Sequence, residues 1–258
     1  MLTNPTLKIL MNRRSIRKFT NKEPTDAVVE TLVRAGQQAP FAYQMGSLLL
    51  SRKLEKNPFH APLFFIICVD SHRHETVMKK REWKIVQNDL SILLFGIQDA
   101  AYMAENIVIA AESLEMGSCY LGAIPYNAEH IIEEYNLPKR IFPLVGLTVG
   151  YPAEDPTTRP RYPIDVTLGE NEYPQLSDKK IETAMQKMDK GYLDQDYYRH
   201  YRAMIPLQGD KEETFTYDNY SWTEHISRKT GQWQKSPHDL LEQFAKCGFY
   251  IPGYDRKK

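Results

Sequence analysis

The feature that most constrains this chain is the run DLSILLFGIQDAAYMAENIVIAAESLEM at residues 89–116. Read as one helix, it sets Leu93, Leu94, Ile97, Ala101, Ala104, Ile107, Val108, Ala111 and Leu114 on almost every side, with Gly117 as its stop. A helix that is apolar nearly all round has to be buried, either in the core or against another subunit. Its alanines allow close helix packing. No apolar run is read as long enough to span a bilayer, so no membrane is expected.

Shorter elements surround it. Asn4 caps a first helix with Pro5 in its first turn and Leu7, Leu10 and Met11 as its stripe. A second helix starts at Thr25 or Asp26, buries Val28, Val29, Leu32 and Val33, and ends before Pro40. Residues 47–52, 63–69 and 141–149 read as strands, the last two buried, and 118–126 as a strand-like segment running into a tight, glycine-containing loop. Residues 129–135 form a short helix, and the charged residues 71–88 a polar excursion. Strands separated by long helices indicate an α/β or α+β sandwich. Residues 164–258 are polar and tyrosine-rich, with amphipathic helical patches; the clearest runs from Ser236 to Gly248 with Leu240, Leu241 and Phe244 inward. That tail is expected to have no core of its own, and to be an arm on the 1–163 core, or on a partner subunit, within one domain.

Composition excludes several classes. With 33 basic and 33 acidic residues the net charge is zero, so no nucleic-acid partner is expected. The three cysteines, Cys68, Cys119 and Cys247, are far apart and odd in number, which argues against a disulfide framework and for a reducing cytoplasm. Residues 1–11 are too polar for a signal peptide. No metal-ligand spacing is present; His72 and His74 stand two apart, as metal ligands on a strand could, but solvated side chains are the plainer reading. Neither G-x-G-x-x-G after a strand nor G-x-x-x-x-G-K-S/T occurs, which counts against a Rossmann dehydrogenase or a P-loop ATPase.

What chemistry the sequence does show is concentrated in arginines. Arg13, Arg14, Ser15 and Arg17 fall within five positions, and Arg159 and Arg161 sit in a proline-braced loop, Arg159-Pro160-Arg161-Tyr162-Pro163. Guanidinium forks match phosphate oxygens, and two rigid basic sites could clamp one anion from two sides. On charge alone, solvated surface is the plainer reading of both, since charge runs usually face water.

Four segments in order then resemble one family. RRSIRKF at 13–19 is similar to the N-terminal signature of the FMN-dependent nitroreductases. APFAYQ at 39–44 resembles their Ala-Pro-Ser-x-x-Asn segment, 99–123 their central helix and flavin loop, and 142–161 their last core strand and basic loop. WTEHI at 222–226 is similar to the tail of the NADPH-oxidising nitro and flavin reductases. The resemblance implies an α+β fold, a three-layer α/β/α sandwich with a mainly antiparallel sheet. It also implies a homodimer with FMN at its interface and a helical C-terminal arm.

By position, Arg13, Arg14, Ser15 and Arg17 would hold the FMN phosphate, ribityl chain and pyrimidine edge, with Arg159 and Arg161 completing the phosphate clamp. Pro40, Phe41 and Ala42 would pass along the cofactor, Gln44 would meet the pyrimidine, and Leu121, Gly122 and Ala123 would run beside the ring. The implied activity moves electrons from NADPH or NADH to a nitroaromatic, quinone or free flavin in ping-pong fashion, the flavin doing the chemistry with no catalytic side chain required. Phe41, Gln44 and Pro125 depart from the family's usual Ser, Asn and Arg, and 56–62 is shortened. Those departures keep open a flavin binder with little turnover, or a specialised reductase such as a dehalogenase. Arg199, Arg202 and Lys211 are further candidates for the donor's phosphate.

Overall fold

The computed structural model describes residues 2–232 and 237–251. Ser236, and residues 252–258 of the tail, lie outside them. The chain forms two compact units, Met1–Pro156 with Ser236–Lys258, and Thr157–Lys235.

The first unit is built on one four-stranded sheet in the order β1-β2-β4-β3, formed by β1 (Gly46–Ser51), β2 (Leu63–Asp70), β3 (Gly117–Leu121) and β4 (Ile141–Gly150). All its strand pairings are antiparallel, and Gly46 faces Val69, Leu63 faces Val149, and Gly117 faces Gly150. Five helices precede the second unit: α1 (Pro5–Asn12), α2 (Asp26–Gln37), α3 (His72–Lys80), α4 (Asp89–Ser113) and α5 (Ala128–Tyr135). Asn4 caps α1 by accepting from the Leu7 N–H at 2.8 Å, and Thr25 caps α2.

The sheet's inward alternation is plain in β2. Leu63, Phe65, Ile67 and Val69 are fully buried in the main core with Ile92, Leu93, Ala104 and Ile107 of α4 and Leu32 of α2, each side chain larger than alanine worth about 1.5–3 kcal/mol over an exposed position. Ile66 and Cys68 face the other way, onto Ile131 of α5. Two helix layers thus cover one sheet. The last helix, α9 (Pro237–Lys246), also belongs to this unit: Phe244 meets Phe142 at 4.5 Å between ring centroids. Burial of Cys68 and Cys247 pushes both thiols up, Cys247 to about 12, so they pack as apolar groups.

Several expectations need correcting. Residues 71–88 are not all excursion, because 72–80 form α3, with Glu75 in its first turn and Lys79 and Lys80 in its last, as the helix dipole favours. His72 and His74 therefore point apart on a helix. Gly117 is not the stop of α4; the helix ends at Ser113, and Gly117 opens β3, where a Cβ would lie 2.4 Å from Ile16 Cγ1. By length and composition α4 does meet the requirement for a membrane span, but half of that window is buried inside the protein, so the run is a core helix. Nor is α4 wholly covered, since Leu90, Leu94 and Tyr102 are exposed.

The second unit holds α6 (Asp178–Leu193), α7 (Tyr197–His200) and α8 (Trp222–Gly231). Contrary to expectation it has a small core of its own, of Met188, Tyr192, Tyr198 and Tyr220 with Phe215 and Trp222 packed against it. Tyrosine hides this from a count of aliphatic residues, because each ring buries a large apolar body while its hydroxyl keeps a polar partner. The Tyr220 hydroxyl accepts from the Ile205 N–H at 3.1 Å and lies 3.1 Å from His225 Nδ1.

Candidate active site

The basic segment is fixed beside β3. Ser15 forms a parallel bridge to Ser118, the Ile16 N–H donates to the Ser118 carbonyl at 2.9 Å, and Ile16 fills the space that Gly117 leaves. Residues 17–20 then run along the chain after β4. The Arg17 and Lys18 N–H groups donate to the Glu154 carboxylate, and Thr20 N–H to the Tyr151 carbonyl at 2.8 Å. Arg14 pairs with Asp155 at 2.5 Å. Arg13 is half-buried and has no hydrogen bond or ion pair within reach among the described residues. Its charge, with that of Arg14, opposes the burial that pushes the Glu112 carboxyl up, and Glu112 Oε1 is buried without a partner.

At its far end β3 delivers Leu121, Gly122 and Ala123. Gly122 is exposed, and a Cβ built there would meet nothing within 4 Å, so the backbone lies open to a flat group. From within β3, the Tyr120 hydroxyl donates to Glu105 of α4 at 3.2 Å; burial first, then Glu105, pushes that phenol up.

The 40–45 loop is shaped by a residue that the sequence reading missed. Asp99 lies 3% exposed in the middle of α4 and accepts three backbone hydrogen bonds: from Ala42 N–H at 2.7 Å on Oδ1, and from Tyr43 and Met45 N–H at 3.0 Å each on Oδ2. An aspartate inside an otherwise apolar helix was the available signal, since a buried carboxylate must be hydrogen-bonded. Gln44 adopts φ +56°, and its carbonyl accepts from Arg73 Nη2 at 3.0 Å, as does that of Gly46 at 2.8 Å. Pro40, Phe41, Ala42 and Gln44 are all exposed on this anchored loop.

One chain thus brings the 13–17 segment together with β3, but not with the 40–44 loop. Glu112, which feels Arg13, and Asp99, which holds the loop, are separated by about 20 Å of helix rise along α4.

Arg159 and Arg161 belong to the second unit. Arg159 stacks over Tyr197 at 4.0 Å from the ring centre and donates to Gln195, while Arg161 donates to the Arg159 and Pro160 carbonyls at 3.1 and 3.0 Å. Of the donor-phosphate candidates, Arg199 pairs with Asp196 at 3.3 Å and with Asp218, Arg202 takes a left-handed φ of +48°, and Lys211 is exposed. Arg228, unremarked in the sequence, is 4% exposed and bridges Glu213 and Glu224 at 2.6 Å each.

Comparison with known proteins decides what this frame is. The nitroreductase family model matches residues 10–51 and 49–151. This chain belongs to the nitroreductase family. Among its relatives, an oxygen-insensitive NADPH nitroreductase of Salmonella typhimurium is 32% identical over 74% of this chain and 83% of its own. An FMN reductase (NADPH) of Bacillus subtilis is 30% identical over 94% of this chain and 97% of its own. Among solved structures, a hypothetical oxidoreductase of B. subtilis superposes with a TM-score of 0.81 at 25% identity, covering 96% of this chain and 99% of that one. The NADPH:FMN oxidoreductase of Vibrio harveyi, complexed with NAD+, does so at 0.74 and 26%, covering 95% and 99%. The α+β sandwich expected of a nitroreductase is therefore the fold observed.

The residues of this family member fit an FMN group. A half-buried Arg13 guanidinium that makes no ion pair among the described residues has room for an anion, and the bare backbone at Gly122 leaves room for a ring.

Proposed function

We propose that this chain is an FMN-dependent oxidoreductase that takes electrons from NADPH or NADH and passes them to a small aromatic or quinoid acceptor. The observation that carries this reading is the basic segment pinned along β3, a strand that ends in an open glycine loop, in a chain whose relatives are named as NADPH nitroreductases and FMN reductases.

When bound, FMN supplies the capacity to accept a hydride from the pyridine nucleotide and return two electrons to the acceptor. The protein's part is binding and orientation. Arg13, Arg14, Ser15 and Arg17 are assigned to the phosphate, ribityl chain and pyrimidine edge. The backbone N–H groups of Gly122 and Ala123 would supply fixed dipoles to the bound ring. Pro40, Phe41, Ala42 and Gln44 line the cofactor from a loop that Asp99 holds rigid, so little entropy is lost on binding.

The separation along α4 supports a homodimer: the 40–44 loop of one copy serves the basic segment of the other, and the exposed Leu90, Leu94 and Tyr102 become interface. Buried free thiols suit a reducing cytoplasm. Initial rates with NADPH and a soluble quinone test the reading. Parallel double-reciprocal lines are expected of one shared site; intersecting lines contradict it.

A further inference from the structure

A cavity of about 290 Å3 in the first unit lies outside every residue assigned above to the cofactor. It is lined by α3, by the irregular stretch between α3 and α4, and by the start of α4; Met78, Trp83, Ile85 and Ile92 supply its apolar wall. Tyr43 and Met45, both tied to Asp99 through their backbones, close one side.

Three features set it apart from a packing defect. Its volume is at the lower end of small-molecule sites, enough for a flat molecule of one or two rings. Trp83 and Val86 on its wall are 71% and 97% exposed, an arrangement that costs free energy unless something covers them. His74 also lines it, and its Nδ1 is buried with no hydrogen-bond partner among the described residues, a polar atom that a ligand group can satisfy. Lys84 adds a cation at the wall.

We infer that this cavity binds a planar, one- or two-ring aromatic carboxylate, its ring between Trp83 and Met78 and its carboxylate met by Lys84. The site stands independently of the flavin reading. Because Tyr43 belongs to both the cavity wall and the 40–45 loop, occupancy is felt by that loop.

The test uses 4-nitrobenzoate as the probe on the oxidised protein as purified, with no pyridine nucleotide, followed by tryptophan emission and calorimetry. A nitroaromatic quenches an indole that it touches. Saturable quenching is expected, with affinity weakened about tenfold or more by Met78→Glu and by Val86→Asp. The Val86 side chain is so exposed that its replacement leaves folding intact. Trp83→Phe is expected to keep the calorimetric binding while removing most of the quench. Linear, collisional quenching, or binding unchanged in both charged variants, overturns the proposal; the second result would mean that the probe sits on the cofactor or under a partner's chain. A protein that stays colourless after incubation with FMN, yet still shows the Met78→Glu-sensitive quench, supports this site while sinking the flavin reading.

Discussion

Asp99 carries the most direct structural consequence. Its carboxylate accepts three backbone N–H bonds, Ala42 on one oxygen and Tyr43 and Met45 on the other. Each bond to a charged group contributes about 1.5–3 kcal/mol. Asp99→Asn is nearly isosteric. Its best rotamer leaves the amide oxygen facing Tyr43 and Met45 and turns the NH2 toward the Ala42 N–H, donor against donor. One bond is lost and two become neutral, a cost of about 2–4 kcal/mol. Asp99→Leu loses all three, but Ala42 and Tyr43 are exposed and recover water, so only the buried Met45 N–H is stranded, for about 3–5 kcal/mol in total. Against a typical stability of about 5–15 kcal/mol both variants fold. Urea unfolding should show midpoints falling in the order wild type, Asn, Leu with an unchanged slope. FMN retention should fall with them, about tenfold for each 1.4 kcal/mol of loop order lost. An Asp99→Asn protein with wild-type midpoint and wild-type FMN affinity would refute the clamp.

Other expectations follow from the same geometry. Arg13→Ala should leave the thermal midpoint within error yet weaken FMN binding about tenfold or more, measured by flavin fluorescence, because no ion pair among the described residues is lost but an anion-facing cation is. Gly117→Ala must push Ile16 away from a Cβ at 2.4 Å and should cost about 1–3 kcal/mol, whereas Gly122→Ala meets nothing within 4 Å and should leave unfolding unchanged; equal midpoints for the two would falsify this packing argument. In the second unit, the Arg228 guanidinium, then the Phe215 N–H, hold the Glu213 carboxyl down to about 2. A depressed folded pKa stabilises above the ordinary carboxylate range and is lost as pH falls toward 2, so Glu213→Gln should flatten the acid side of this unit's stability profile.

How much of this was legible in the sequence divides along physical lines. Strands buried on both faces, such as 63–69, announce themselves because no polar residue interrupts them, and β2 covers Leu63–Asp70. Capping chemistry placed α1 and α2 at Asn4 and Thr25 because a side-chain oxygen there has one evident use. The arginine segment was legible as a cluster, but its pinning to Ser118 was not, since a bridge between residues 15 and 118 leaves no local trace. Residues 71–88 misled because α3 has hardly any apolar stripe; its dipole-matched ends were the weaker signal. The second unit's core escaped notice because it is built from tyrosines, and Asp99 because one carboxylate looks like noise in an apolar run until its three donors are seen.

The central claim is that this chain binds FMN and reduces it with a pyridine nucleotide. The most direct measurement is the absorption spectrum of the purified protein, incubated with FMN, before and after anaerobic addition of NADPH and, separately, NADH. The account predicts oxidised-flavin bands that bleach with at least one donor and return when a quinone is added. A protein that stays colourless after incubation with FMN, or flavin bands that neither donor bleaches, would contradict it.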